Sequence, residues 1–265
     1  MSDLNSKAKV FNAAMAPRLD KLYASPQIVE QRRRLRELIL AKPGETGVDI
    51  GCGLGHLSCE LAREVMPGGR LLAIDVSADM VAGVTERAQR EGLADLIETR
   101  LGDATALDLP DASVDFVVAV QSYSYVPNVE QAIAEAARVL RPGGRLAVLE
   151  TDWDMCVYES EDAAQMRRIF DGRWRFAHWQ LPRQLHRMFH NAGLRLDKTE
   201  AYPLLETRYD PDSFGVGLIA IARNAAVRNG VNALEADAWV ADICSRQRDG
   251  EYFFCANRFM FVAVK

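Results

Sequence analysis

Apolar positions in the middle of the chain come in short runs, each followed by a stretch of helical spacing. Val48–Ile50 close one such run; Gly51, Gly53 and Gly55 follow, and Leu57, Leu61 and Val65 then recur at helical intervals. This predicts a strand over about 46–50, a glycine turn and a helix over about 56–66. The same alternation predicts strands over about 70–75, 97–101, 116–121 and 145–151, with helices over 77–91 (Ser77 as cap) and 128–140. Strands alternating with helices imply a parallel sheet covered on both faces, an α/β fold. Upstream, Ser25-Pro26 reads as a helix start, with Ile28, Leu35, Leu38 and Ile39 on one face and Arg32, Arg33, Arg34 and Arg36 crowded beside it. Beyond Thr151 the pattern loosens. Helices are expected over Ala163–Phe176, Pro182–Ala192, 212–229 and 234–247, and strands over Leu194–Thr207 and Glu251–Val264. The predicted organisation is an N-terminal helical cap over 1–43 and one domain over 44–265, with a core over 44–152 and substrate-side helices over about 155–192 and 208–250.

Composition narrows the function classes. A chain of 265 residues that is 49% hydrophobic can bury a sizeable core. A net charge of −5 argues against a large phosphate-binding surface, so no nucleic-acid partner is expected. No apolar run approaches the length of a membrane span, and Met1–Asn5 lead into no export signal. The five cysteines include no Cys-x-x-Cys pair, which fits thiols in a reducing cytoplasm. His186 and His190 share a helix face at a zinc-compatible spacing, but no third ligand accompanies them, so no metal is expected.

The glycine turn is where chemistry is expected. A dinucleotide fingerprint spaces its glycines Gly-x-Gly-x-x-Gly to seat a pyrophosphate. Here they run Gly-x-Gly-x-Gly with Asp49 two residues ahead, and an acid there suits a cationic amino group better than a pyrophosphate. Open parallel sheets bind ligands outside the carboxyl ends of their strands, where strand order reverses. That rule selects Gly51, Cys52, Gly53 and His56 after the first strand, and Asp75, Val76 and Met80 after the second. It adds Asp103 and Ala104 after the third, Gln121 to Tyr125 after the fourth, and Asp152, Trp153 and Asp154 after the fifth; Gly102, beside Asp103, is a further candidate cofactor contact. In an extended backbone Asp152 and Asp154 point to one side and the Trp153 indole to the other.

The glycine turn, Asp75, Gly102-Asp103-Ala104, the run from Leu109 to Val120 and Val139-Leu140-Arg141-Pro142-Gly143-Gly144 follow one another in order over about 44–152. In that combination the chain resembles the class I S-adenosylmethionine-dependent methyltransferases. The resemblance implies a Rossmann-like sheet of seven strands, mostly parallel, with an antiparallel pair at one edge. It implies S-adenosylmethionine as cofactor and S-adenosylhomocysteine as product. Asp75 would hold the ribose hydroxyls, Asp103 the adenine amino group and Ala104 an adenine nitrogen through its N–H. Gly51 and Gln121 would meet the methionine moiety, with Asp49 and Gly53 shaping the loop. Tyr23 and Arg32 would close the pocket from an N-terminal helix, Arg32 reaching the cofactor carboxylate together with Gln31.

The sulfonium already activates its methyl group, so positioning and exclusion of water supply most of the acceleration. A base is needed only for a protonated acceptor. Tyr125, Asp154 and His178 are the candidates carried forward from a set that includes Tyr123, Asp152 and His186. Tyr123, Tyr125, Trp153 and Trp174 are the expected acceptor contacts. The Asn-Pro-Pro-Tyr or Asp-Pro-Pro-Tyr segment of many methyltransferases that act on planar amines of nucleic acids and proteins is missing; Gln121-Ser122-Tyr123-Ser124 stands in its place. The expected partner is therefore a small organic acceptor, the enzyme being a monomer or homodimer. A binding protein with a non-methylating role, such as a cyclase or sensor, and a macromolecule methyltransferase are the alternatives.

Overall fold

The structure is a computed structural model that describes residues 13–171 and 176–265. Its helices are α1 (Ala16–Tyr23), α2 (Pro26–Ile39), α3 (His56–Glu64), α4 (Ala78–Arg90), α5 (Val129–Val139), α6 (Ala163–Ile169), α7 (Pro182–Asn191), α8 (Phe214–Arg228) and α9 (Ala233–Asp249). Its strands are β1 (Thr46–Ile50), β2 (Arg70–Asp75), β3 (Ile97–Leu101), β4 (Val114–Val120), β5 (Leu140–Tyr158), β6 (Arg195–Glu206) and β7 (Phe254–Val264). They form one seven-stranded sheet in the order β3-β2-β1-β4-β5-β7-β6. The pairs from β3 through β5 are parallel, and β7 runs antiparallel to both β5 and β6. Strand order reverses at β1, which lies between β2 and β4.

Alternation along the strands sends side chains into two cores. Val48, Ile50, Leu72, Ile74, Val117 and Val148 meet α5 and α7 on one face. Leu71, Ala73, Phe116, Val118 and Leu149 meet α2, α3 and α4 on the other. Leu35, Leu38 and Ile39 of α2 belong to that second core, so the N-terminal helix is built into the sheet packing. A third cluster lies under α6, α8 and α9 around Trp239, Tyr158, Phe254 and Phe214.

Three elements differ from the sequence expectation. β5 does not stop at Thr151. After a register shift between Thr151 and Cys156 it continues to Tyr158, pairing Cys156 with Ala256 and Tyr158 with Phe254. Cys156 and Tyr158 point inward and Val157 outward, a strand alternation hidden in the sequence by the polar Asp152-Trp153-Asp154 interruption. The start of the expected substrate-side segment at 155 is thus strand. The helix expected over Ala163–Phe176 ends at Ile169. A separate helix, α1, precedes Ser25, and the Ser25 hydroxyl donates to the Leu22 carbonyl (2.8 Å), tying the two helices together instead of capping α2. Ser77 does cap α4, accepting from the Met80 N–H.

Among the described residues no helix is long and apolar enough to cross a membrane. Trp239 is fully buried, edge-on to Tyr158 and packed against Phe170. Trp239→Ala should lower the unfolding free energy by roughly 3–5 kcal/mol, the usual cost of an indole-sized core truncation, and should show as an earlier midpoint in urea.

Candidate active site

A cavity of about 1110 Å³ opens at the carboxyl ends of β1, β2 and β4, beside the reversal of strand order. Its floor is the glycine turn. Gly51 has φ +69°, and a Cβ there would lie 2.4 Å from Cβ of Ser122, so the close approach of the β1 and β4 ends admits only glycine. Gly53 also has positive φ and lines the cavity, yet a Cβ on it would meet nothing within 4 Å; the turn faces open room.

Three acids stand at this end. Asp49 is buried, accepts from the Ser58 hydroxyl (2.6 Å) and is pushed up to about 7, chiefly by burial, with the Ser58 bond opposing and Asp75 reinforcing. Asp75 accepts from the N–H groups of Gly53 (3.0 Å) and Ser77 (2.9 Å); burial still raises it above the ordinary carboxylate range. Asp103 folds back on its own turn, with Oδ1 accepting from the N–H (2.8 Å) and hydroxyl (2.9 Å) of Thr105. Val76, Met80, Cys52, Gly102 and Ala104 fill the wall between them. Gln121, at φ +51°, turns the chain out of β4, and its side-chain oxygen accepts from Thr151 (2.8 Å).

The N-terminal helices roof this end. His56 Nε2 lies 2.8 Å from Asp20 Oδ1 on α1, and Arg87 also pairs with Asp20. Burial, then Arg87 and Arg32, push the imidazole down to about 4, so it is neutral at physiological pH. Tyr23 meets the His56 ring edge-on at 6.3 Å. Arg32 lines the cavity but is committed elsewhere. Its Nε donates to both oxygens of Glu60 (3.0 and 3.1 Å) and Nη1 donates to the Tyr23 carbonyl (2.6 Å). The guanidinium expected to reach a ligand carboxylate thus ties α2 to α3 and to the end of α1 while it borders the cavity.

The far end is aromatic. Phe176 stacks on Trp153 (4.6 Å, 15°) and tilts against Tyr125 (4.9 Å), with Trp153 and Tyr125 lining the cavity. Tyr123 also lines it; its hydroxyl is buried without a hydrogen-bond partner among the described residues. Phe214, Leu218, Ile221, Asn224 and Arg228 of α8 form the opposing wall. Arg18 of α1 donates to the Gly217 carbonyl (3.0 Å), so α1 and α8 meet over the mouth.

Seventeen of the residues singled out from the sequence thus come together around one cavity: Tyr23, Arg32, Asp49, Gly51, Cys52, Gly53, His56, Asp75, Val76, Met80, Gly102, Asp103, Ala104, Gln121, Tyr123, Tyr125 and Trp153. Two do not. Asp154 turns away toward α7, held by Gln180 and by Arg183 Nη2 (3.4 Å). Arg183 also grips the buried Asp152 (2.5 and 3.0 Å), so the two acids share one side of β5 and the indole takes the other. His178 Nε2 lies 3.0 Å from the Pro127 carbonyl, outside the cavity lining. Neither residue lines the cavity. Trp174 lies outside the described residues. A smaller hollow beside His186, His190 and Arg195 lies at the start of β6, away from the cavity. Among the described residues no three potential ligands cluster as a metal site.

Besides the α8 wall, Glu150 and Arg258 were missed in the sequence reading. Glu150 is fully buried behind the β4 end, where the N–H and hydroxyl of Ser124 donate to it and fix the turn that carries Tyr123 and Tyr125. Arg258 lines the cavity from β7; its signal was a charge in the inward series Phe254, Ala256, Met260, Val262.

The comparisons with known proteins agree with this geometry. A family described as "Methyltransferase domain" matches residues 48–148. The chain is 30% identical over 264 residues to an uncharacterized 37.1 kDa protein in transposon TN4556 of Streptomyces fradiae, covering 96% of this chain and 73% of that protein. It is 36% identical over 116 residues to nocamycin O-methyltransferase of Saccharothrix syringae, a match of 44% of this chain and 41% of the relative. That match spans less than half of the relative's length. A crystal structure of a putative methyltransferase from Bacillus halodurans shares the fold at a TM-score of 0.63 and 18% identity, over 89% of this chain and 99% of that one. With the motif order, the strand order and the glycine-floored cavity in place, the chain belongs to the class I S-adenosylmethionine-dependent methyltransferases.

Proposed function

We propose that this protein moves the methyl group of S-adenosylmethionine to an O, N or C of a small organic acceptor. The observation that carries this reading is the single cavity with two ends. One end holds Asp49, Asp75 and Asp103 around a glycine floor, the other a wall of aromatic rings, and its volume exceeds the roughly 300–1,000 Å³ typical of one ligand site. The open space over Gly53 fits a cofactor lying along the turn. The bound sulfonium supplies an already activated methyl group. Asp75 would accept from the ribose hydroxyls and Asp103 from the adenine amino group, with Ala104 donating its N–H. Asp49, Gly51 and Gln121 would orient the methionine moiety. Tyr125, Trp153 and the apolar side of α8 would hold the acceptor in line and keep water out, which is where acceleration comes from in a displacement of this kind. Tyr123, with its buried hydroxyl, would orient a polar atom of the acceptor. The roof formed by α1 and α8 leaves a chamber sized for a small molecule.

Incubation with S-adenosylmethionine and a panel of small phenols, amines and enols should yield S-adenosylhomocysteine only when the right acceptor is present. On that acceptor, Tyr125→Ala and Trp153→Ala should lower turnover by more than they weaken cofactor binding. Cofactor binding with no product across the panel would favour a non-methylating role. Asp75→Ala should weaken S-adenosylhomocysteine binding at least about tenfold by calorimetry, since each charge-assisted hydrogen bond contributes about 1.5–3 kcal/mol.

Asp49 gives a pH signature. Its pKa rises from 3.8 to about 7 on folding, so its contribution to stability is whole below pH 3.8 and is lost as the pH climbs through 7. A cationic amino group held beside it favours the charged form and draws the proton off. Affinity for S-adenosylhomocysteine should therefore rise roughly tenfold per pH unit up to about pH 7 and level off above it. Calorimetry in buffers of different ionisation heat should show a proton released on binding near pH 6, and Asp49→Asn should abolish that release.

A further inference from the structure

Arg258 is a buried cation of this cavity that the reading above leaves without a task; Arg228, the other lining arginine without one, is exposed to solvent. The Arg258 side chain is 3% exposed, on a strand whose inward neighbours are all apolar or small. Nη1 donates to the side-chain oxygen of Gln31, itself 2% exposed, and the guanidinium lies 4.4 Å from the Phe214 ring centroid. Nε is buried with no hydrogen-bond partner among the described residues. Its direct partners are thus a neutral amide and an aromatic ring. Tyr23, Glu150, Cys156 and Tyr202 act on it only through space, and Glu150 is taken up by the Ser124 turn. Burial lowers its pKa to about 10, which still leaves it charged at neutral pH. A buried arginine with an idle N–H and no carboxylate is costly unless an anion meets it. The planar fork of donors fits a carboxylate bidentately.

We infer that Arg258, braced by Gln31 and Phe214, is the seat for the carboxylate of a small molecule held in the cavity. The inference rests on the methyl-transfer reading for what occupies the cavity, and it adds a substrate class: an acceptor that carries an acid group.

Two molecules bring a carboxylate to this site, the acceptor and the amino-acid tail of the cofactor. The sheet favours the acceptor. Asp49 is level with Val118, Ala147 and Val262 across β4, β5 and β7, whereas Arg258 is level with Thr151, four residues nearer the ligand edge than Val262. Three strand spacings separate β1 from β7, about 14 Å sideways, before that offset is added. An ammonium and a carboxylate on the same carbon do not span from Asp49 to Arg258.

The test uses Arg258→Met, close in size and uncharged, with four probes: S-adenosylhomocysteine, 5′-methylthioadenosine (the same adenosine and thioether without the amino acid), 4-hydroxycinnamate and its methyl ester. Binding is measured by calorimetry, the last two on protein saturated with S-adenosylhomocysteine. If the acceptor brings the carboxylate, wild type holds the free acid at least tenfold tighter than the ester. Arg258→Met then erases that preference and leaves S-adenosylhomocysteine affinity unchanged. If the cofactor brings it, Arg258→Met loses tenfold or more for S-adenosylhomocysteine and nothing for 5′-methylthioadenosine. Only the first pattern supports the acceptor seat; the second overturns it. Equal affinities in wild type and variant for all four probes overturn it. Should Arg258→Met fail to fold, Arg258→Lys, which keeps the charge and loses the fork, is read against the same criteria. Failure of the methyl-transfer reading shows separately, as wild type that binds no S-adenosylhomocysteine.

Discussion

The cavity depends on one close contact. Where β1 and β4 end, the backbone at Gly51 passes so near Ser122 that a single added carbon would overlap it, and the Ser122 hydroxyl reaches back to the Ile50 carbonyl (3.1 Å). That contact holds the two strand ends together at the reversal of strand order. The chain must then leave β1 on one side, into α3, and β4 on the other, into the short Tyr123–Tyr125 turn. The crevice is the space between those departures. Asp75 ties the floor to the neighbouring strand by accepting from the Gly53 N–H, and Glu150 fixes the turn from behind. Two of the loops around this end, those after β1 and β4, are thus anchored to neighbouring strands by carboxylates.

The wall on the acceptor side has a different origin. Its central ring, Trp153, sits in the interruption of β5, between the parallel stretch that pairs with β4 and the later stretch that pairs with β7 alone. Because the register shifts there, the strand departs from ideal pairing while remaining extended, and it delivers an indole to the cavity with Asp152 and Asp154 behind it. Arg183 from α7 fastens both acids. The pair of acids thus holds the ring in place, and the side chains that look chemically active in the sequence are the fastening.

That inversion shows what was legible beforehand. The parallel sheet, the turn and the acids at strand ends follow from short-range patterns: a period of two, glycines at fixed offsets, and an acid at the end of each apolar run. These features are local, and the rule that ligands gather at carboxyl strand ends converts them into one site. The partner of a side chain is not local. Asp154 and His178 looked like bases because nothing near them in sequence announces Gln180, Arg183 or the Pro127 carbonyl as their captors. Arg32 looked available because Glu60 lies a full element away. The α8 wall was equally hidden. An apolar helix reads as core, and here one side of it is core, at Ala222 and Ala226, while Ile221 and Asn224 face the cavity.

Charge is the last constraint. Of the buried ionisable side chains that line the chamber, Asp49 lies under the β1 end and Arg258 lies across the sheet on β7, while Arg32 is paired with Glu60. A fold built for stability alone would pair such charges or replace them with apolar side chains, since desolvating each one costs more than a distant opposite charge returns. Here, among the described residues, Asp49 is bonded by a serine hydroxyl and Arg258 is met by an amide and a ring. Both are held apart by two intervening strands, too far to neutralise one another. Each would be completed by a ligand group of the opposite charge, a cation beside Asp49 and an anion beside Arg258.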